Sequence, residues 1–124
     1  MSSSIYLGTI SIDCRDATSL RDFYADLLGW ERLVLFDYPA ARGDTGTFLF
    51  IQADGFEYVS PVWPEEPGVQ QKQIHLDFEV DDLATATAHA ESLGAVRSAT
   101  QPRSDEWIVM LDPDGHPFCL CGVG

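Results

Sequence analysis

Positive charge is scarce in this chain. Seven Lys and Arg stand against 20 Asp and Glu, a net charge of −13 over 124 residues, so its long-range field repels phosphate backbones and anionic lipid headgroups. Nucleic acid and membrane surfaces are therefore not expected partners; the charge serves solubility alone, or it also attracts a cationic ligand. Long apolar runs are also lacking. None approaches the ~18 residues that a membrane span requires, and the opening Met1-Ser2-Ser3-Ser4 carries neither a basic flank nor an apolar stretch. A cytoplasmic location is the expectation. Cysteine is limited to Cys14, Cys119 and Cys121, an odd number without zinc-finger spacing, which argues against a disulfide framework or a structural zinc knot. Several catalytic signatures are missing as well: a phosphate-cradling glycine loop, a nucleophile elbow, and paired His residues at helical spacing.

What is present is one core's worth of apolar sequence, 45% hydrophobic and 11% aromatic, arranged as a repeat. Thr9-Ile10-Ser11-Ile12-Asp13-Cys14 and His75-Leu76-Asp77-Phe78-Glu79-Val80 share one alternation, apolar at every second residue, as a strand with one packed and one wetter face requires. After each comes a helical pattern. Leu20, Phe23, Tyr24, Leu27 and Leu28 form an apolar stripe; Asp16, Thr18 or Ser19 is available to cap its start, and Gly29 to take the left-handed stop. Leu83, Ala86, Ala90 and Leu93 form a thinner stripe between Asp81 or Asp82 and Gly94. Three further strands are predicted after each helix, near 30–36, 46–52 and 56–62, and near 95–100, 106–111 and 116–121. Turn chemistry at Arg42-Gly43-Asp44, Asp54-Gly55 and Asp112-Pro113-Asp114-Gly115 separates some of them. The reading is a single domain: repeat one over about 5–63, a proline-rich linker over about 64–71, and repeat two over about 72–122.

Taken together, LRDFYADLLGW at 20–30, HLDFEVDDL at 75–83, SLGA at 92–95 and DPDGHPFCL at 112–120 resemble the vicinal oxygen chelate superfamily, the glyoxalase, extradiol dioxygenase and bleomycin-resistance group, and most of all its glyoxalase-like branch. The resemblance implies an α+β fold in which tandem βαβββ repeats form an open U-shaped eight-stranded mixed sheet with the helices outside. It also implies a cleft faced by Thr9, Ser11 and Asp13 from one repeat and by His75, Asp77 and Glu79 from the other. In such proteins four cleft ligands, usually His and Glu, hold a divalent metal. Carried onto this chain, the four positions become Thr9, Ser60, His75 and Cys119. Neutral hydroxyls are poor ligands for hard or borderline ions. No metal is therefore expected, these being degenerate positions, and no other cofactor.

Each candidate has a plainer alternative. His75 is a cleft histidine hydrogen-bonded to Asp77 or to a neighbouring strand and without chemistry, or else a ligand contact or general base whose tautomer Asp77 or Glu79 fixes. Cys119 and Cys121 lie two apart on one strand face, about 7 Å by strand geometry, too far for a direct disulfide; they are apolar fillers or thiols. Trp63 and Trp107 stand at rims, where an indole walls a ligand site or stacks on a cationic guest. His116 reads as turn architecture and His89 as the solvent side of its helix. The expected ligand-binding set is Thr9, Ser11, Ser60, Trp63, His75, Asp77, Trp107 and Cys119, with His75 the candidate catalytic group. The leading functional expectation is metal-independent binding of an aromatic or cationic compound. The alternative is a lyase, isomerase or dioxygenase working through a degenerate metal site or through His75 as base. The resemblance also implies a homodimer.

Overall fold

The computed structural model describes residues 4–122. One order of elements occurs twice along the chain. The first set is strand β1 (Ile10–Asp13), helix α1 (Ala17–Leu28) and strands β2 (Glu31–Leu35), β3 (Tyr38–Gly43) and β4 (Gly46–Ile51). The second is strand β5 (Leu76–Val80), helix α2 (Leu83–Ser92) and strands β6 (Val96–Arg97), β7 (Trp107–Leu111) and β8 (Pro117–Gly122). Each set builds a four-stranded mixed sheet, ordered β1-β4-β3-β2 and β5-β8-β7-β6. In each, the first strand lies parallel to the last and the remaining pairs are antiparallel. The α+β class and the doubled βαβββ plan anticipated from the sequence are present. The chain divides into two compact units, Met1–Phe56 and Glu57–Gly124. No helix among the described residues is long and apolar enough to cross a membrane.

In the first unit, Asp16 caps α1 by accepting the Ser19 amide at 3.0 Å, and Gly29 ends it in the left-handed conformation. The apolar stripe of α1 lies on the sheet: Leu20 and Phe50 are fully buried, and Tyr24 stacks on Phe50 while meeting Phe48 edge-on. Trp30 lies across Gly43, where an added Cβ would come within 2.3 Å of its indole nitrogen. The predicted strand near 56–62 does not form, and the strand that the prediction lacked is β3. Its entry is a two-residue hairpin with Phe36 at φ 53° and Asp37 at φ 67°. Such turns usually announce themselves by Asn-Gly or Asp-Gly, and Phe-Asp does not. Pro39 is tolerated because pairing of β3 with β4 begins only at Ala40.

In the second unit, Asp82 caps α2 by accepting the Thr85 amide at 3.0 Å. Thr87 lies in the buried stripe beside Ala90 and turns its hydroxyl back onto the Leu83 carbonyl at 2.7 Å, which satisfies the polar atom there. Strand register puts Leu76, Phe78, Phe118, Leu120, Ile108 and Met110 on one face, the packed one, and Asp77, Glu79, Cys119, Cys121, Val109 and Trp107 on the other. The Asp112-Pro113-Asp114-Gly115 turn is held by the Asp112 carboxylate, which accepts the amides of Asp114 (2.9 Å) and His116 (3.0 Å). Residues 58–60 run against this turn, with the hydroxyls of Tyr58 and Ser60 both donating to the Asp114 carbonyl, at 2.7 and 2.9 Å.

Candidate functional site

The alternation of β5 sets the site. His75 immediately precedes the strand and Asp77 follows two residues later, so both side chains fall on the face opposite the core, and the parallel partner of Asp77 in β8 is Cys119. His75 Nε2 lies 3.1 Å from Asp77 Oδ1, with both side chains open to solvent. One ligating atom each from His75, Asp77 and Cys119 lies within 4.8 Å of the other two. Cys119 is only 9% exposed. Burial first, then the negative charge of Asp77, push its thiol up to about 12, and Cys121 is pushed upward for the same leading reason.

A second group stands beside these three. Val62 and Gln70 close a loop through a 2.9 Å backbone hydrogen bond. Inside it Trp63 receives the Lys72 ammonium over its ring, 4.7 Å from the centroid, and Lys72 is also ion-paired to Glu65. The Lys72 side chain is only 17% exposed. Its hydrogen bond is the main reason that the Glu65 carboxyl sits below its usual range, with a smaller contribution from His75. Trp63 Nε1 is buried and has no hydrogen-bond partner among the described residues.

Six of the eight residues anticipated as ligand-binding belong to the second unit, and His75, Asp77 and Cys119 come together there. Trp107 is on the same sheet face, paired with Cys121, and the Arg103 guanidinium lies 5.8 Å from its ring centroid. Ser60 requires a correction. The predicted strand near 56–62 that would carry it does not form, the last strand of the first repeat, β4, ends at Ile51, and Ser60 belongs to the second unit, hydrogen-bonded to the Asp112–Gly115 turn. The two sheets share one register, Leu49 opposite Ser11 as Cys119 is opposite Asp77, so Leu49 holds in the first repeat the place that Cys119 holds in the second. Thr9 and Ser11 are in the first unit, Thr9 just ahead of β1 and Ser11 within it. His116 is turn architecture, as read, and its ring also meets the Tyr58 hydroxyl at 3.1 Å. Sequence reasoning passed over Glu65 and Lys72, although Lys72 is the only lysine in the chain, and it did not count Asp77 as a possible metal donor.

The donor set can be tested against a divalent ion. Imidazole nitrogen, carboxylate oxygen and thiol sulfur suit a borderline ion such as zinc, which accepts three protein ligands and keeps one position open. The three converge within the second unit, whereas Leu49, at the matching place in the first, is hydrocarbon. An ion there must displace the Cys119 proton, which burial and Asp77 hold tightly. The residues therefore fit a three-donor site of mixed softness rather than a four-ligand His and Glu set.

A model of the glyoxalase-like domain family matches residues 9–121. Among solved structures, the chain is similar to a glyoxalase/bleomycin resistance protein from Albidiferax ferrireducens, with a TM-score of 0.67, 16% identity, and coverage of 95% of this chain and 98% of that one. It is similar to an antibiotic binding protein from a Streptomyces species, with a TM-score of 0.62, 15% identity and full coverage of both chains. It is also similar to a fosfomycin resistance protein from Listeria monocytogenes, with a TM-score of 0.67, 17% identity, and coverage of 100% of this chain and 94% of that one. A comparison with curated protein sequences yields no match.

Proposed function

This chain belongs to the glyoxalase-like domain family, and on that premise we propose that it binds an aromatic or cationic small molecule stoichiometrically, without a resident metal, at the open face of its second sheet. The observation that carries this reading is the side-chain set of the second unit: the buried Cys119 thiol, the solvent-open His75–Asp77 pair, and the Trp63 indole with a cation already over its ring. Such a set offers hydrogen bonds, an aromatic surface and negative charge before it offers a nucleophile or a ready thiolate. An antibiotic binding protein among the similar structures supports the same class of function.

The experiment is a melting-temperature screen across cationic aromatic compounds, followed by calorimetry on chelator-treated protein. One-to-one binding that persists in chelator and weakens in Trp63→Ala and His75→Ala is the expected result. Failure of every compound to bind removes the support for this reading.

A second reading is favoured by the convergence of His75, Asp77 and Cys119: a lyase, isomerase or dioxygenase. In its metal form, these three side chains hold a divalent ion, which supplies Lewis-acid polarisation of a substrate oxygen when bound. In its metal-free form, Asp77 orients the imidazole of His75, which takes a proton from the substrate. Elemental analysis of protein purified without chelator separates the two: a stoichiometric ion lost in His75→Ala establishes the metal form.

The proposal includes a homodimer in the cytoplasm. Exposed large apolar side chains, Ile5, Tyr6, Leu7, Val34 and Phe36 among them, support a partner surface, and three free cysteines suit a reducing compartment. Light scattering tests the first and localisation of a tagged protein the second.

A further inference from the structure

From the Trp63 loop we infer that Trp63 and Glu65 form a receptor for an organic ammonium group, and that Lys72 occupies it as a tethered stand-in which a guest must displace. This deepens the small-molecule reading above and rests on it. An alkylammonium is recognised by an aromatic face that attracts the cation and a carboxylate that neutralises it. Lys72 has both, its Nζ 4.7 Å from the Trp63 centroid and ion-paired with Glu65. A long, strongly hydrated side chain gives up rotational freedom to be held in this way, yet this lysine is only 17% exposed.

A second observation points to a ligand independently. The indole N–H of the same ring is buried with no hydrogen-bond partner among the described residues, and an unpaired buried donor is a local cost that a bound acceptor lifts. A guest joining an ammonium to a neighbouring ether or hydroxyl oxygen satisfies both the face and the edge of Trp63. The loop is also electrostatically continuous with the site already described, since His75 acts on Glu65 and Lys72 acts on Cys119. Its charge suits the guest: Glu65 is paired with Lys72, and displacing that lysine leaves the Glu65 carboxylate free to neutralise the incoming cation.

The same geometry makes Lys72 a competitive inhibitor in cis. Tethered through its own side chain, it acts at an effective concentration in the millimolar range or above, so a free ammonium compound meets an occupied site. Removing the charge while keeping the stem, as in Lys72→Met, opens the receptor without deleting the packing.

The test uses the full-length protein and two simple probes, tetramethylammonium and choline, with tert-butanol as the neutral control. The chain has three tryptophans and one lysine, so a nitrogen-15 spectrum gives three indole N–H signals, and a lysine-labelled sample gives one side-chain signal. Trp63→Phe assigns the indole. In Lys72→Met, the ammonium probes are expected to bind about tenfold more tightly than in wild type, shifting the Trp63 signal ahead of those of Trp30 and Trp107. Choline is expected to bind more tightly than tetramethylammonium. In wild type, saturating probe moves the Lys72 signal toward that of a free lysine. Adding Glu65→Gln or Trp63→Leu to Lys72→Met removes the gain. Lys72→Gln serves as a second variant, and retained signal dispersion checks the fold of each. Equal affinity in wild type and both Lys72 variants, or binding that survives Trp63→Leu, overturns the inference.

The two proposals fail separately. Screen compounds that bind wild type and weaken in Trp63→Ala and His75→Ala, while the ammonium probes bind wild type and both Lys72 variants equally, sink the receptor and leave the function standing. Ammonium binding that is weak in wild type and tighter in Lys72→Met, with no aromatic compound of the screen binding wild type, does the reverse.

Discussion

Replacing Gly115 by alanine tests whether the second unit depends on close approach between a turn and the segment that runs beside it. Gly115 has φ +90°, and a Cβ built on it would lie 2.9 Å from Ser60 Cβ and 3.0 Å from Ser60 Oγ. Two costs follow. An L-residue in this backbone region costs about 1–2 kcal/mol. Forcing a methyl against Ser60 costs a further ~1–3 kcal/mol, because Ser60 moves only by giving up its 2.9 Å hydrogen bond to the Asp114 carbonyl. The sum is about 3 kcal/mol, or roughly a 10 °C fall in melting temperature for a domain of this size.

Gly29 provides the internal control. It also has positive φ, +67°, but an added Cβ there meets nothing within 4 Å among the described residues, so Gly29→Ala incurs the backbone cost alone, about 1 kcal/mol. Urea unfolding of both variants, and of Ser60→Gly alone and combined with Gly115→Ala, completes a double-mutant cycle. The expected coupling is about 1–2 kcal/mol in the sense that Ser60→Gly relieves Gly115→Ala. If Gly115→Ala proves no worse than Gly29→Ala, or the cycle shows no coupling, the contact between residues 58–60 and the turn does not bear on stability and the reasoning is wrong.

Two further outcomes are expected. The folded Cys119 thiol keeps its proton to about 12 against an ordinary value of 9.0, so its contribution to stability is complete below about pH 9 and is lost as pH climbs toward 12. Cys119→Ala should therefore show a shallower alkaline fall in melting temperature than wild type, and native wild-type protein should resist iodoacetamide at pH 8; an unchanged alkaline slope contradicts the assignment. At the β2–β3 hairpin, Phe36 and Asp37 both have positive φ, so Phe36→Asn with Asp37→Gly should stabilise the protein by about 1 kcal/mol, read as a raised urea midpoint at unchanged slope.

Much of the fold was legible because local chemistry and tertiary packing agree. The alternation at 9–14 and 75–80 marked β1 and β5, and capping chemistry placed Asp16, Gly29 and Asp82 where the helices begin and end. Where the two conflict, the reading failed. Phe36-Asp37 hid a hairpin because bulky and acidic residues occupy positions that glycine usually takes, and the strand that follows opens with Tyr-Pro, a weak strand signal. The run at 56–62 is rich in aromatic and β-branched residues like a strand, but its polar groups turn to the Asp112–Gly115 turn instead of a ladder. That error misplaced Ser60 and obscured Leu49. At the site, strand periodicity brought His75 and Asp77 to one face. Asp77 as a donor beside Cys119 depended on pairing register, and Lys72 over Trp63 depended on how an irregular loop closes. Neither leaves a local pattern in the sequence.

The parallel pairing of first and last strands within each repeat also bears on how the protein is made. β1 finds its neighbour only after β4 emerges, yet everything the first sheet needs is translated by Ile51. The second unit spans residues 57–124 and takes several seconds more at ~5–20 residues per second. During synthesis the early half therefore has time to assemble before its sibling exists, which limits the opportunity for two look-alike halves to exchange strands.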